Sequence, residues 1–349
     1  MLYKLLLNWF KKENIRKIYV GKLKFKNYLN PFQQILLEIL IKDKRISFEK
    51  NEGYVYYSEE NVSILKYKGS EISDASLSRE GVFPDIELPE FPKFIIDLAF
   101  YEKHTEKAKK RLKKQLLYSL LTIRQYLWDR HLVLTSINDK IKEELNKRFG
   151  PNKVIYYYKN ALEFLKENKV EYAIVLDPYA KEELTEKEIK EAQAFLIGGI
   201  VDLGYEWKGA TEELYKGVNA EFRKITFYGD IRGVPDRINK IISIILKVRY
   251  LDRKIEEAII EEQTRRDILQ RLSVELPKRW IRLHARNGKF LLITKEDLEE
   301  LNNMFKRDIS EYLKIFNVKV VENTDFLKEC KVIEKYGRKI YIYNKELKV

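Results

Sequence analysis

The sequence contains very little cysteine and histidine, and this scarcity limits the chemistry available to it. A single cysteine, Cys330, excludes a disulfide within the chain, and no Cys-x-x-Cys pair or cysteine–histidine cluster is present to hold zinc. The three histidines, His104, His131 and His284, are scattered and argue against a histidine-based metal site. The sequence therefore predicts no metal centre, and its low cysteine content is typical of a cytoplasmic protein.

Long apolar runs and the common nucleotide-binding motifs are also missing. No stretch of about 18 apolar residues occurs, so we expect no transmembrane span and no membrane partner. The start, MLYKLLLNWFKK, has charge within its apolar run and no small-residue cleavage site, which argues against a signal peptide. No Gly-x-Gly-x-x-Gly follows a predicted strand, and GYEWKGAT lacks the lysine of a P-loop. A nucleotide-like cofactor would therefore have to bind through loops that carry neither of these motifs.

Positive charge, in contrast, is abundant. The 349 residues include 67 lysines and arginines against 54 acidic residues, a formal net charge of +13. Such an excess favours an anionic partner, most often nucleic acid. The densest run lies in residues 104–130, HTEKAKKRLKKQLLYSLLTIRQYLWDR, where a long helix is predicted. Because lysine and arginine contact phosphates, we expect nucleic-acid contacts from Lys107, Lys110, Arg111, Lys114 and Arg130.

Length and sequence texture predict three domains. Residues 1–85 form an α+β domain that ends in a linker rich in Ser, Gly and Pro, and residues 253–349 form a second small α+β domain with two hairpins. Between them, residues 86–252 alternate strand and helix, which predicts a parallel sheet covered by helices. The six predicted strands are KFIIDLAF, HLVLTSI, KVIYYY, YAIVLDP, FLIGGIVDL and FRKITFY.

The fifth predicted strand, FLIGGIVDLG, has two glycines inside a buried run and a carboxylate at its end. Glycine weakens a strand, so its presence marks a bulge, close packing or a ligand that approaches the backbone. Two neighbouring loops, LDPYA and FYGDIRGVPDR, also follow predicted strands. Since ligands of open α/β sheets gather at the carboxyl ends of strands, these loops predict a ligand site.

Four segments, in order, resemble the tRNA purine-9 N1-methyltransferase family of the SPOUT class. They are IIDLAF, HLVLTS, IGGIVD and VPDRINKIISIIL, the last in the form typical of archaeal members, and the resemblance covers about residues 90–250. Gln115 and Arg124 fall where the family carries Gln and Arg on a helix, which adds them to the expected RNA contacts. The resemblance implies an α/β fold: a SPOUT trefoil-knot, parallel-sheet methyltransferase domain flanked by the two small α+β domains.

The resemblance further implies that S-adenosylmethionine binds on three loops of the knot. The glycines of IGGIVD would then leave room for the cofactor. The first domain, residues 1–85, would contact tRNA, and the protein would act as a cytoplasmic monomer that requires no protein partner. The residues that this mapping assigns to the cofactor are Leu176, Asp177, Pro178, Gly198, Gly199, Val201, Phe227, Tyr228, Gly233 and Val234, although Asp177 by itself is more typical of a turn.

The implied reaction is methylation of N1 of the purine at position 9 of tRNA, with adenine expected first and guanine as a second substrate. Guanine N1 must lose a proton, whereas methylated adenine becomes cationic, so a carboxylate helps in both cases. Asp202 is the leading candidate, with Asp97 and Asp236 beside it. Pro235 and Arg237 replace a threonine and an asparagine of eukaryotic members, which leaves the target base open.

Three other functions fit parts of the same sequence. A tRNA-binding protein with an inactive knot would retain the basic helix without methyl transfer. A SPOUT ribose 2′-O-methyltransferase would use a related fold on another atom and would be expected to dimerise. A metal-dependent nuclease would require the three aspartates to converge on magnesium.

Overall fold

The computed structural model describes residues 1–201, 209–335 and 337–347 of the chain. Nowhere in these ranges is there a helix with both the length and the apolar character needed to cross a membrane. The described residues also contain no cluster of three or more His, Cys, Asp or Glu side chains placed to hold a metal ion.

The chain divides into two compact units. The first comprises Met1–Ile225 with Asp236–Ala258, and the second comprises Thr226–Pro235 with Ile259–Val349. A ten-residue loop from the predicted central domain thus belongs to the same unit as the C-terminal region. The predicted boundaries at residues 85 and 252 stay a prediction.

The N-terminal part of the first unit contains a five-stranded mixed sheet. Its elements are α1 (Tyr3–Lys12), β1 (Lys17–Tyr19), α2 (Pro31–Lys42), β2 (Arg45–Ser47), β3 (Glu52–Glu59), β4 (Val62–Ile72) and β5 (Ala75–Ser78). The strand order is β2-β5-β1-β4-β3, with β1 parallel to both neighbours and the outer pairs antiparallel. Strand β5 lies within the segment predicted to be a linker, so the linker prediction is wrong at these residues. The segment ASLS has no apolar run to mark it as a strand, because it pairs through its backbone.

A buried glutamine joins this N-terminal part to the rest of the first unit. Gln33 is fully buried in α2, and its Nε2 donates to the carbonyl oxygens of Arg124 (3.0 Å) and Leu127 (2.8 Å). Its Oε1 accepts from the backbone N–H of Tyr3 at 3.0 Å. A buried amide whose donors and acceptor are all used fixes the geometry of the segments that it joins.

The central part is a six-stranded sheet in which every pairing is parallel. Its elements are β6 (Lys93–Asp97), α3 (Glu106–Ile123), β7 (Leu132–Thr135), α4 (Asp139–Phe149), β8 (Ile155–Tyr156), α5 (Ala161–Glu167), β9 (Ala173–Leu176), α6 (Glu186–Glu191), β10 (Ala194–Gly198), α7 (Ala210–Leu214), β11 (Glu221–Arg223) and α8 (Ile238–Leu251). The order is β11-β9-β10-β6-β7-β8. Each of the six predicted strands overlaps an observed strand, although β8, β10 and β11 cover only part of the predicted runs, and the parallel α/β arrangement is confirmed.

The sheet is held by side chains that alternate along its strands. Ile95, Val133, Val175 and Leu196 come from four neighbouring strands and are fully buried in one cluster with Phe164 of α5. Strands that are buried on both faces read as continuous apolar runs, which is why they could be located from sequence.

The C-terminal region follows the short helix α9 (Ile255–Glu262). Its elements are α10 (Arg265–Arg279), β12 (Ile281–Ala285), β13 (Gly288–Thr294), α11 (Lys295–Phe305), α12 (Ser310–Leu313), β14 (Val318–Val321), β15 (Lys331–Lys335) and β16 (Arg338–Ile342), with the strands ordered β14-β13-β12-β16-β15. Both predicted hairpins are present, β12–β13 and β15–β16. The first turns at Arg286-Asn287, one residue earlier than expected, because Ala285 pairs with Gly288.

Candidate active site

The parallel register brings the carboxyl ends of the central strands to one edge of the sheet. Asp97 at the end of β6 lies opposite Thr135 of β7 and Gly198 of β10, and Ile197 lies opposite Leu176 of β9. The two predicted ligand loops that begin at Leu176 and Gly198 therefore leave this edge side by side. The leading catalytic candidate, Asp202, follows β10 but lies outside the described residues.

Asp97 is buried, and both of its carboxylate oxygens are occupied. Asp97 is only 2% exposed. Oδ1 accepts from the N–H of Ala99 (2.9 Å), and Oδ2 accepts from Thr135 Oγ1 (2.9 Å) and from the N–H of Ala161 (3.3 Å). Such a carboxylate orders the turn after β6 and ties β7 to the start of α5. The structure thus places Asp97 inside the fold, which makes it a positioning group rather than a base that meets a substrate.

The two adjacent glycines at the end of β10 occupy different environments. A Cβ on Gly199 would lie 2.2 Å from the carbonyl oxygen of Asp97 and 2.8 Å from Leu98 Cδ2. Gly199 N–H also donates to that carbonyl oxygen at 3.0 Å. Close packing against β6 therefore explains Gly199, and the expectation that it clears space for a cofactor is not needed. Gly198 is partly exposed, and its added Cβ would meet only side-chain atoms, the nearest at 3.3 Å.

A buried histidine holds the segment that follows these glycines. His104 is 6% exposed, its Nδ1 lies 2.8 Å from the carbonyl oxygen of Phe100, and its Nε2 accepts from the N–H of Val201 at 3.1 Å. Nε2 can accept only in the neutral ring with the proton on Nδ1, which then donates to Phe100. The contact spans 97 residues of sequence, so no local pattern could reveal it.

Tyr215, the C-cap residue of α7, bonds to the backbone near the end of β10. It is fully buried, and its hydroxyl donates to the carbonyl oxygen of Ile197 at 2.8 Å. Burial raises the pKa of Tyr215 well above its usual range, and the nearby charge of Asp97 raises it further. The hydroxyl therefore stays protonated and acts as a fixed donor to the strand.

The loop after β9 confirms the turn role predicted for Asp177. Its Oδ1 accepts from the N–H of Tyr179 at 2.9 Å, and its own N–H donates to the carbonyl oxygen of Arg223 at 3.0 Å. The side chain is thus used in the turn, while the following Pro178 is exposed. Leu176 is almost fully buried at the strand end.

The third predicted cofactor loop lies in the second unit and is held by α10. Gln263 Nε2 donates to the carbonyl oxygen of Gly233 at 2.9 Å, and Arg271 Nη2 donates to that of Tyr228 at 3.2 Å. Gly233 has φ +92°, and a Cβ there would lie 2.7 Å from Arg271 Cβ, so this position requires glycine. Phe227 is fully buried below the Arg271 guanidinium. The sequence analysis identified neither Gln263, which precedes α10, nor Arg271 within it.

Arg271 is the largest of the fully buried side chains in the described residues, and its charge is only partly compensated. Nη2 pairs with Glu275 at 2.9 Å, whereas Nε and Nη1 find no hydrogen-bond partner among the described atoms. Burial lowers the pKa of Arg271. Because buried N–H donors are normally hydrogen-bonded, the unused donors of Arg271 favour a hydrogen-bond acceptor beside the loop that contains Tyr228.

Val234 and Asp236, the remaining candidates in this loop region, differ in exposure and belong to different units. Val234 is half-buried within the second unit, whereas Asp236 belongs to the first unit and is exposed just before Arg237, the N-cap residue of α8.

Helix α3 presents four cations on one exposed face. Lys107, Lys110, Arg111 and Lys114 follow the i, i+3, i+4, i+7 spacing, are exposed, and form no ion pair with any residue that the structure describes. The lysines between them differ, because Lys109 pairs with Glu102 at 2.6 Å and Lys113 with Glu144 at 2.9 Å. The unpaired face keeps its full charge for an anionic partner.

Of the other predicted RNA contacts, Arg124 and Gln115 form hydrogen bonds within the protein, and Arg130 is exposed. Arg124 is 8% exposed and forms a two-pronged ion pair with the fully buried Asp129, with both distances 2.7 Å. Gln115 Oε1 accepts from the N–H of Ile238 at 3.0 Å and so caps α8. Both side chains thus have partners within the fold, and their assignment as RNA contacts stays a prediction. Arg130 is exposed, with its guanidinium over the ring of Trp128.

These observations define an α/β protein with a parallel sheet, a loop cluster at the strand ends and a basic helix beside it. Two family models match the chain: tRNA (guanine(9)-N(1))-methyltransferase TRM10/TRM10A over residues 56–225, and tRNA (adenine(9)-N1)-methyltransferase N-terminal domain over residues 1–78. The chain belongs to the Trm10 family of tRNA methyltransferases, which confirms the resemblance noted in the sequence.

Relatives from two archaea match over most of their length. The tRNA (guanine(9)-/adenine(9)-N1)-methyltransferase of Thermococcus kodakarensis is 32% identical over 87% of this chain and 84% of its own. The tRNA (adenine(9)-N1)-methyltransferase of Sulfolobus acidocaldarius is 32% identical over 74% of this chain and 82% of its own. The crystal structure of Sulfolobus acidocaldarius Trm10 in complex with S-adenosylhomocysteine superposes with a TM-score of 0.67 at 26% identity, covering 90% of this chain and 97% of that one.

Proposed function

We propose that the protein transfers a methyl group from S-adenosylmethionine to N1 of the purine at position 9 of tRNA, with adenine as the preferred base and guanine as a second substrate. One observation carries this proposal: 32% identity to a relative named for both bases, over 87% of this chain. The second relative is named for adenine alone, which supports adenine as the first choice.

For the central part we propose the SPOUT trefoil knot, with the N-terminal and C-terminal sheets as flanking domains. The six parallel strands, the order β11-β9-β10-β6-β7-β8 and the likeness to the Sulfolobus acidocaldarius structure support this fold. In this arrangement the N-terminal domain contacts tRNA. We also propose that the enzyme works as a cytoplasmic monomer without a required protein partner.

For the cofactor we propose the loops that begin at Leu176, Gly198, Phe227 and Gly233. Leu176 and Val201 are almost fully buried there, whereas Pro178 is exposed and Gly198 is partly exposed, so these last two leave an accessible surface at the sheet edge that suits a flat adenine ring. When bound, S-adenosylmethionine supplies an activated methyl group. The chain's own contribution is then to hold the target nitrogen in line with that group, so a nucleophilic residue is not required.

For the chemistry we propose Asp202 as the carboxylate nearest the purine. The N1–methyl bond would form as the methyl–sulfur bond of the donor breaks, leaving S-adenosylhomocysteine, and guanine would release its N1 proton to this carboxylate. Adenine has no N1 proton to release, and its product carries a positive charge that the carboxylate stabilises. Asp236, which is exposed, is the second candidate. Asp97, in contrast, acts through the turn and helix that it orders.

The test is methylation of unmodified tRNA transcripts that differ only in carrying A or G at position 9. Mass-spectrometric mapping should find 1-methyladenine at position 9, with 1-methylguanine formed more slowly. Asp202→Asn should slow single-turnover methylation while leaving the affinity for S-adenosylhomocysteine close to that of the wild type. Methylation of a ribose, methylation at another position, or no methylation of either transcript would overturn the proposal.

A further inference from the structure

The N-terminal sheet carries two stacked pairs of aromatic rings on its outer hairpin. Tyr54 of β3 stacks on Tyr67 of β4, with ring centroids 5.8 Å apart, and Phe25 stacks on Tyr56 at 4.9 Å. The three tyrosines are each 44% exposed. We call this set, together with Lys66, the hairpin aromatic cluster. Rings that are stacked in the folded state yet open to water are arranged to receive another flat group.

A buried lysine lies between the two pairs. Lys66 is only 5% exposed, and its Nζ lies 4.6 Å from the ring centre of Tyr56, 4.8 Å from that of Tyr67 and 5.2 Å from that of Phe25. Within the described residues its ammonium forms no ion pair and donates no hydrogen bond. Three ring faces stabilise the charge but leave its N–H donors unused. Such a buried cation is built to meet an acceptor from outside the chain.

The backbone is strained at the point where it forms this cluster. Tyr67 has φ +52°, a left-handed conformation in the middle of a strand. A bulky residue rarely adopts this conformation, and such strain persists where the surrounding structure demands it, often at binding sites. The pairing of β3 with β4 is also irregular, with register shifts at Gly53/Tyr54 and at Val55/Tyr57. These irregularities lie beside Tyr54, Tyr56 and Tyr67.

Charge around the hairpin aromatic cluster is mostly positive, although Glu52 and Glu71 lie next to it on β3 and β4. The adjoining segment GKLKFKNY, residues 21–28, has lysines at alternate positions and no acidic residue, and residues 64–68 add Lys66 and Lys68. Lys22, Lys24, Lys26 and Lys68 are all exposed. Aromatic faces interleaved with lysines match the two features of a single strand of RNA, stacked bases and a phosphate backbone.

We propose that the hairpin aromatic cluster binds unpaired nucleotides of RNA, with bases stacking on the tyrosine rings and Lys66 donating to a base or phosphate oxygen. This inference deepens the proposed function and rests on it, because tRNA is the RNA that the enzyme would engage. The cluster would hold tRNA through an unpaired region, separately from the reacting purine. It should therefore change RNA affinity and KM, while kcat at saturating tRNA stays the same.

The test uses the full chain and labelled RNA, with fluorescence anisotropy as the readout. The double variant Tyr54→Ala/Tyr67→Ala should raise the Kd for a single-stranded ten-uridine RNA by about tenfold or more and leave the Kd for a blunt RNA duplex unchanged. Lys66→Met should also weaken single-strand binding. The matched control is Phe48→Ala, since Phe48 of the N-terminal part is exposed to a similar extent (53%) but makes no ring stacking or lysine–ring contact with any residue that the structure describes.

Several results would overturn the proposal. They are an unchanged Kd for the single strand, equal loss of binding to single strand and duplex, or binding to anionic vesicles that the same variants abolish. Tyr54→Phe/Tyr67→Phe keeps the rings and should bind like the wild type, which separates stacking from misfolding. Photocrosslinking of a 5-bromouridine RNA should map to Tyr54, Tyr56 or Tyr67, and crosslinks elsewhere would contradict the cluster. If tRNA is not methylated but these results hold, the methyltransferase proposal fails and the RNA site stands.

Discussion

At the residue scale, the adjacent glycines Gly198 and Gly199 have different reasons to be glycine. Gly199 fits because β6 passes so close that any Cβ would overlap the Asp97 carbonyl oxygen. Gly198 lies at the open end of β10, where an added methyl group meets only movable side-chain atoms. The sequence motif thus combines a packing requirement with a surface requirement.

This difference predicts opposite outcomes for two alanine variants. Gly199→Ala should lower the free energy of unfolding by about 1–3 kcal/mol or more, because β6 and β10 must separate to accept the methyl group. Gly198→Ala should unfold at nearly the wild-type urea concentration but bind S-adenosylhomocysteine more weakly by calorimetry. Equal loss of stability in the two variants would refute this distinction.

His104 provides a second prediction at the same scale. His104→Leu leaves the N–H of Val201 without its acceptor, so the segment leading to Asp202 loses an anchor, and an unpaired buried donor costs about 1–3 kcal/mol. We expect a fall in kcat for methyl transfer of about tenfold, with little change in the Kd for tRNA. His104→Gln, which can still offer an acceptor, should recover part of that loss.

The control is the chain's other deeply buried histidine. His131 is 1% exposed, and its Nδ1 lies 2.7 Å from the carbonyl oxygen of Pro92, before the start of β6. Burial lowers the pKa of His131 to about 4, so the ring is neutral near pH 7. His131→Leu should reduce stability without reducing kcat where the variant is folded. A matching fall in kcat would mean that His104 has only a structural role.

At the element scale, helix α3 separates its positive charges into two sets. Lys107, Lys110, Arg111 and Lys114 share the exposed face, whereas Lys109 and Lys113 are paired with glutamates. Exposed ion pairs contribute little to stability, but pairing offsets the charge that a phosphate would otherwise meet.

The two sets should differ in their effect on tRNA binding. Lys110→Ala/Lys114→Ala removes two free charges and should weaken tRNA binding at least tenfold, with the slope of log K against log salt falling by up to about 2. The same-helix control, Lys109→Ala/Lys113→Ala, should have a smaller effect on both quantities. Filter binding over a salt series measures them, and equal effects from the two pairs would show that the exposed face is not the contact.

The elements that could be predicted are those whose information is local. The four inner strands β6, β7, β9 and β10 were found because each is a buried, largely apolar run, whereas the outer strands β8 and β11 are short and less buried. Strand β5 was missed because ASLS pairs through backbone groups and has no such run. Helix α11 ends at Phe305, because the next residue, Lys306, takes φ +50° and leaves the helical conformation. The contacts that Arg124, Gln115 and His104 make within the fold were overlooked for a related reason, since their partners are set by the tertiary structure.

At the scale of the whole molecule, the sequence composition predicts the kind of partner, but the sequence does not predict to which unit residues 226–235 belong. The excess of basic residues pointed to nucleic acid, and the exposed face of α3 shows where part of it is concentrated. In contrast, the assignment of residues 226–235 to the C-terminal unit could not be read from the sequence. It depends on Gln263 and Arg271, which are 30 and 43 residues beyond the backbone atoms that they bind.

That loop also has a consequence for the order in which the protein is completed during synthesis. Tyr228 and Gly233 leave the ribosome well before helix α10, so their described backbone contacts cannot form until the chain has been made through Arg271. The central strands β6 to β11 precede all of these residues and can pair earlier. A proposed ligand loop is thus finished by a later part of the chain, so a nascent enzyme does not acquire this loop until synthesis has passed the central sheet.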